Sequence, residues 1–190
     1  PVPRAHEARV EKRYQAAVAQ VQHHADVARR AAGLAQAGML RDKLRLVQEL
    51  EAAVAAPGEP ASDDWSGRWS ALPAVDADFE RALAARFDAA LAALSSGREA
   101  YAHELEQNRA RLLNDLLRLE IAAGIDSGPE FARERLRLQV EVLQSSLKSG
   151  QKPASHAVEL RQLVALPALA DARTASRIEH LLMRLAKEGK

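Results

Sequence analysis

Apolar residues recur along most of the chain at three- and four-residue spacings, the mark of one buried stripe on a helix. From about Arg4 to Ala32 the stripe is Val10, Tyr14, Ala17, Val18, Val21 and Ala25, which predicts a long amphipathic helix. Gly33 and Gly38 read as breakers around a short connection, and Leu40, Leu44, Val47, Leu50 and Val54 then keep the helical period as far as Pro57. The pair predicts an antiparallel helical hairpin over residues 1–56. Pro57-Gly58-Glu59-Pro60 cannot continue a helix, because each proline lacks a donor and constrains the residue before it, so 57–62 is the predicted linker.

A bundle over 63–190 follows. Ser62 or Asp63 is placed to cap a short helix with Trp65 and Trp69 on one face, closed by Leu72-Pro73. Asp76 or Asp78 starts a helix carrying Phe79, Leu83, Phe87, Leu91 and Leu94, which ends at Ser95-Ser96-Gly97. One long helix from about Tyr101 through Leu105, Leu112, Leu116, Leu119 and Ile121 runs to Gly124, with a polar middle at Glu106 to Arg111. Ser127-Gly128-Pro129-Glu130 has the form of a capping box opening a helix with Phe131, Leu136, Val140, Leu143 and Leu147, stopping at Gly150. Lys152-Pro153 and Leu166-Pro167 bracket a short helix, and a last one from about Asp171 carries Ile178, Leu181, Leu182 and Leu185. No segment repeats with a fixed period. The predicted fold is all-α, antiparallel helical hairpins packed as a bundle of about seven helices.

Composition agrees: hydrophobic residues reach 47%, yet aromatics are 4% and strand-forming runs are absent. The 27 basic and 26 acidic residues leave a formal charge of +1, so no whole-protein field draws the chain to nucleic acid or anionic membrane. With no cysteine, disulfides, thiolate nucleophiles and thiolate zinc sites are excluded, and a reducing, cytoplasmic setting is expected. No apolar stretch approaches the ~18 residues that span a bilayer, and Pro1-Val2-Pro3-Arg4 lacks a secretory hydrophobic region, so a soluble protein with no membrane partner is expected. The absent initiator Met fits either its removal before Pro1 or a piece of a longer protein.

Chemistry is sparse. A carboxylate-bridged metal bundle needs Glu-x-x-His on two helices, and none occurs; His23 and His24 are adjacent and diverge by about 100° on a helix. Glu99 and His103 share a face as an ordinary solvated pair, and His156 and His180 lack partners at catalytic spacing. No catalytic, metal or cofactor-binding residue is therefore assigned, no cofactor is expected, and a non-enzyme is predicted, the check being whether His103 or His180 lies buried beside carboxylates. Two basic groups, Arg41, Lys43 and Arg45, and Arg133 and Arg137, are the candidate phosphate contacts, although Asp42, Glu130 and Glu134 interrupt them. Trp65, Trp69, Phe79 and Phe87 fit a core better than a base-stacking platform.

Trp65 and Trp69, then Leu83-Ala84-Ala85-Arg86-Phe87-Asp88-Ala89-Ala90, Leu117 through Ser127 and Glu134 through Val140 together resemble the bacterial family catalogued as domain of unknown function 349, at the C-terminal end of a long member. The resemblance covers roughly Asp63 to Leu185, and departs from the pattern where a Cys expected before Leu119-Glu120-Ile121 is Asp115 or Leu116. It implies a helical repeat fold and a larger parent protein, with no site residues to carry over. The expected function is a non-enzymatic interaction or scaffold module that binds a protein partner through apolar helix faces. A nucleic-acid-binding module using the Arg and Lys patches is the alternative. The Ala-rich face of the first helix could pack internally or against a second copy, as a homo-oligomer, and periodicity looks the same either way.

Overall fold

A computed structural model describes residues 4–60, 62–149 and 156–188. Eight α-helices account for most of them: α1 Arg4–Ala55, α2 Trp65–Ala71, α3 Ala77–Ser95, α4 Arg98–Gln107, α5 Arg109–Ala122, α6 Ala132–Ser149, α7 His156–Ala165 and α8 Ala172–Glu188. A 3-10 turn at Pro129–Phe131 precedes α6, and no strand occurs among the described residues. The fold is all-α.

The first departure from expectation is α1, a single helix of 52 residues that runs straight through Gly33 and Gly38. A glycine inside a helix costs only about 1 kcal/mol relative to alanine. Flanking Ala and Leu offset that, and neither glycine adopts a positive φ. Gly33 has a packing role: a Cβ there would sit 3.3 Å from the Ala186 carbonyl oxygen, so its absence lets the end of α8 approach. Among the described residues of 1–56 no separate hairpin forms. The C-terminal part of α1 is instead the central helix of the bundle, with Leu44, Val47, Leu50 and Val54 buried among Leu83 and Phe87 of α3, Leu112 and Leu116 of α5, Leu163 of α7 and Leu181 of α8.

Pro57 to Pro60 do end α1, and Arg98 at the start of α4 completes that terminus. Its guanidinium donates to the carbonyls of Val54 (2.7 Å), Ala53 (3.1 Å), Ala56 and Gly58. The Ala53 and Val54 carbonyls are acceptors a helix end leaves without intrahelical partners, those of Ala56 and Gly58 follow just beyond it, and a cation is favoured beside them. The neighbouring cap falls one residue later than predicted: Asp64, not Ser62 or Asp63, accepts from the Gly67 amide at 2.9 Å, while Asp63 pairs with Arg68. Asp76 caps α3 as predicted, accepting from the Asp78 amide at 3.1 Å.

The helix predicted from Tyr101 to Gly124 divides at Asn108, whose Nδ2 donates to the Pro167 carbonyl at 2.8 Å while the Leu169 amide reaches the Leu105 carbonyl at 3.2 Å. The break fastens the α7–α8 connection. The predicted capping box is also absent. Ser127 is buried; its hydroxyl donates to Glu120 at 2.6 Å, and its oxygen, which a cap would offer to a helix amide, instead accepts from Arg135 at 2.7 Å. Gly150 and Lys152-Pro153 lie outside the described residues. Trp65 and Phe87 are core, and Trp69 and Phe79 pack against it. That is the arrangement their spacing predicts.

Candidate interaction surfaces

Three buried or half-buried ion pairs latch the bundle. Arg86 of α3 and Glu51 of α1, 4% and 1% exposed, form two parallel hydrogen bonds of 2.6 and 2.7 Å, and Arg86 also donates to the Val164 carbonyl at 2.8 Å. Burial pushes the Glu51 carboxyl above its ordinary value, and the bonds and charge of Arg86 only partly pull it back. Glu120 of α5 takes two bonds from Arg177 of α8, at 2.9 and 2.7 Å, and the Ser127 bond. Arg135 of α6 joins the same network through Ser127 at 2.7 Å and the Ile125 carbonyl at 2.8 Å, and Arg177 lies 4.3 Å from the Phe131 ring. Glu51 and Glu120 are each met by a planar guanidinium whose fork matches the carboxylate, which is the geometry of a structural clamp.

The third pair removes a predicted phosphate contact. Lys43 is only 2% exposed, bonded to Glu80 and 4.3 Å above the Trp69 ring, itself stacked on Phe87 at 4.6 Å. Its alternation with apolar neighbours places it on the core side of α1, so it cannot reach a phosphate. Arg41 pairs with Asp42 at 2.9 Å, and Arg45 binds Glu179 of α8 through two bonds of 2.5 and 2.7 Å. Arg133 and Arg137 are different. Both are exposed on α6, and no carboxylate pairs with either among the described residues.

Among the described residues, none of the histidine candidates meets a cluster of carboxylates or other histidines. His103 and His180 are exposed, and His103 Nε2 faces Gln107 at 2.8 Å instead of Glu99. The His23 and His24 rings are tilted and 6.1 Å apart on an exposed stretch of α1. No group of three or more His, Asp or Glu side chains that could hold a metal occurs among the described residues. His156 edges a cleft of about 510 Å³ whose walls are mainly apolar, including Leu40, Phe79, Leu160 and Leu182, with Asp76 and Gln36 at the margin. Asp76 is committed to capping α3. The cleft therefore supplies apolar surface without a convergent polar set.

Two helical faces point outward with large apolar side chains. On α6, Leu138 is buried against the bundle. Leu136, Val140, Leu143 and Leu147 follow one another by four, three and four residues on the opposite face; Leu136 is 64% and Leu147 85% exposed. Arg133 and Arg137 edge that stripe. On α1, every described side chain from Glu7 to Ala32 is exposed except Val18, and Tyr14 (62%) and Val21 (68%) lie on the stripe the sequence predicts. Among the described residues, no helix is long and apolar enough to cross a membrane. Periodicity locates both stripes correctly but is blind to which side of a helix meets the core. For α6 the signal was Leu138, an apolar residue off the main stripe and on the same side as Arg135.

Compared with known proteins, the chain matches no family model, no curated protein and no solved structure.

Proposed function

We propose that the chain is a non-enzymatic interaction module that binds a protein partner through the outward face of α6. The observation that carries this reading is the inversion of that helix, with one leucine, Leu138, toward the core and Leu136, Val140, Leu143 and Leu147 away from it. Fully burying a leucine or valine side chain stabilises a complex by about 1.5–3 kcal/mol, so four in a helical row form a seam for an amphipathic partner helix. Arg133 and Arg137 along its edge favour a partner helix with carboxylates on the facing flank. The resemblance of residues 63–185 to a helical repeat family points the same way, toward a module within a larger assembly.

The same two arginines support a second reading, nucleic-acid binding by a local basic edge. One experiment separates the two: affinity capture from a lysate of the source organism, with and without nuclease, using the wild-type chain, a Leu136→Glu/Leu147→Glu variant and an Arg133→Glu/Arg137→Glu variant. A protein that survives nuclease and is lost from the leucine variant supports the partner-helix reading. Recovery that disappears with nuclease and with the arginine variant, while the leucine variant retains it, transfers the function to nucleic acid. Equal recovery by all three chains refutes an interface on α6.

A further inference from the structure

We infer that the exposed N-terminal stretch of α1 pairs antiparallel with the same stretch of a second copy of this chain. The inference rests on the reading that outward apolar helix faces are this protein's interfaces, but it concerns a different helix and a named occupant. Residues 7–32 form a helical arm about 39 Å long at 1.5 Å per residue. Helices in proteins owe most of their stability to packing of one face, and this arm lacks that packing although it carries a seam of Val10, Tyr14, Ala17, Val21, Ala25 and Ala28.

The charges beside the seam select the occupant and its direction. At 100° per residue, Glu7, Glu11 and Arg29 lie on one flank, and Arg13 lies on the other. Antiparallel helices set like flanks against each other. With Ala17 opposite Val21 of the second copy, Glu7 and Glu11 of each arm fall near Arg29 of the other, twice by symmetry. Arg29 is 73% exposed and, among the described residues, pairs only with Asp26 on its own helix, so it is free to turn.

The body of the molecule sets the same direction. The seam's spacing continues through Met39, Lys43, Leu46 and Leu50, where the chain's own helices cover it; Lys43, Leu46 and Leu50 are buried. Two parallel chains joined along this face would bring their bundles into the same volume. In the antiparallel pair the bundles lie at opposite ends, each arm tip reaching the start of the other bundle.

Sedimentation of the 190-residue chain tests the pairing. The expected mass is twice the 20.7 kDa of one chain, falling to 20.7 kDa for Val21→Glu with the bundle's melting temperature unchanged. Glu11→Arg should weaken association about tenfold and Arg29→Glu, added to it, should restore it. Because the chain has no cysteine, direction is read separately. Val10→Cys and Ala28→Cys should cross-link with each other when mixed, and neither with itself. A wild-type chain that stays monomeric, a Val21→Glu chain that still dimerises, or cross-links formed by each cysteine variant alone would overturn the proposal. A monomeric chain that still captures a partner through α6 would leave the proposed function standing, and a dimer with no α6-dependent capture would do the reverse.

Discussion

Replacing Arg86 by methionine removes the cation from the most deeply buried ion pair and leaves Glu51 with no counter-charge. Arg86 donates bonds of 2.6 and 2.7 Å to the Glu51 carboxylate, and neither residue is more than 4% exposed. Two unit charges about 4 Å apart attract by about 4 kcal/mol at an effective dielectric constant near 20, and the Val164 carbonyl loses its side-chain donor as well. Taking one partner from a buried pair destabilises by about 3–5 kcal/mol, because the remaining charge stays desolvated, and that is the loss expected for Arg86→Met. Met fills the space of the Arg stem, so a cavity contributes little.

Urea unfolding of wild type, Arg86→Met, Glu51→Leu and the double variant measures the coupling. The double variant should recover most of the loss, since apolar replacement of a whole buried pair is often neutral or stabilising by about 1–4 kcal/mol. The deficit of Arg86→Met should also depend on pH. Glu51 titrates above its ordinary 4.5 because of burial, and removing Arg86 takes away the opposing influence. A carboxyl raised in the folded state favours folding below its unfolded value and loses that contribution as pH rises through the folded value. Arg86→Met should therefore be nearest to wild type in mild acid and furthest from it at neutral and higher pH. A loss below about 1 kcal/mol at neutral pH, or a double variant as unstable as the two single losses added, would refute the view of this pair as a desolvated clamp.

Tyr101 offers the opposite case: its hydroxyl is buried with no hydrogen-bond partner among the described residues, so Tyr101→Phe should raise stability by about 1 kcal/mol in the same assay. Arg98→Ala should cost about 2 kcal/mol and speed amide exchange in the last turn of α1, since four carbonyls lose a charged donor together; unchanged exchange there would remove Arg98 as the cap. Lys43→Met should lower stability by about 1–2 kcal/mol through the lost Glu80 and Trp69 contacts, yet leave any nucleic-acid affinity unchanged. For Glu80, burial raises the carboxyl, but Lys43 and the Val75 amide outweigh it and hold it below its ordinary 4.5. Its contribution is therefore present above that value and fades as pH falls through the lowered one, a loss that acid titration of unfolding should show in wild type and not in Lys43→Met.

Helix identity was legible because the three- and four-residue spacing of Leu83, Phe87, Leu91 and Leu94, or of Ile178, Leu181, Leu182 and Leu185, admits no strand. What escaped were decisions that depend on competition between distant groups. Gly33 and Gly38 carry the same local signal as a true stop, but the penalty of a mid-helix glycine is smaller than the burial gained by joining Leu40 to Val54 to the bundle. Ser127 matches a capping box, yet Arg135, eight residues on, donates to its oxygen, and Glu120, seven residues back, takes its proton. Lys43 illustrates the limit best. Its sequence neighbours Arg41 and Arg45 are surface ion-pair partners, while two residues along a helix turn it inward toward Glu80 and Trp69.

The placement of polar groups bears on why the outward stripes are left uncovered. Inside the bundle, large carboxylate and guanidinium groups occupy positions where leucine would fit, at Glu51, Arg86 and Glu120. Such clamps add little net stability, but they penalise any packing that leaves a charge unmatched, so they fix which helix faces meet. The leucines of α6 and the Val and Tyr of the α1 arm carry no such constraint on their outward side, and a face without one accepts any complementary apolar helix. In the interfaces proposed above, the flanking charges would do the sorting, Arg133 and Arg137 on α6 and Glu7, Glu11 and Arg29 on the arm. A partner helix chosen by those flanks would be distinguished less by affinity than by the repulsion suffered by the wrong one, so charge reversal at Arg133 and Arg137 should change partner choice more than total binding.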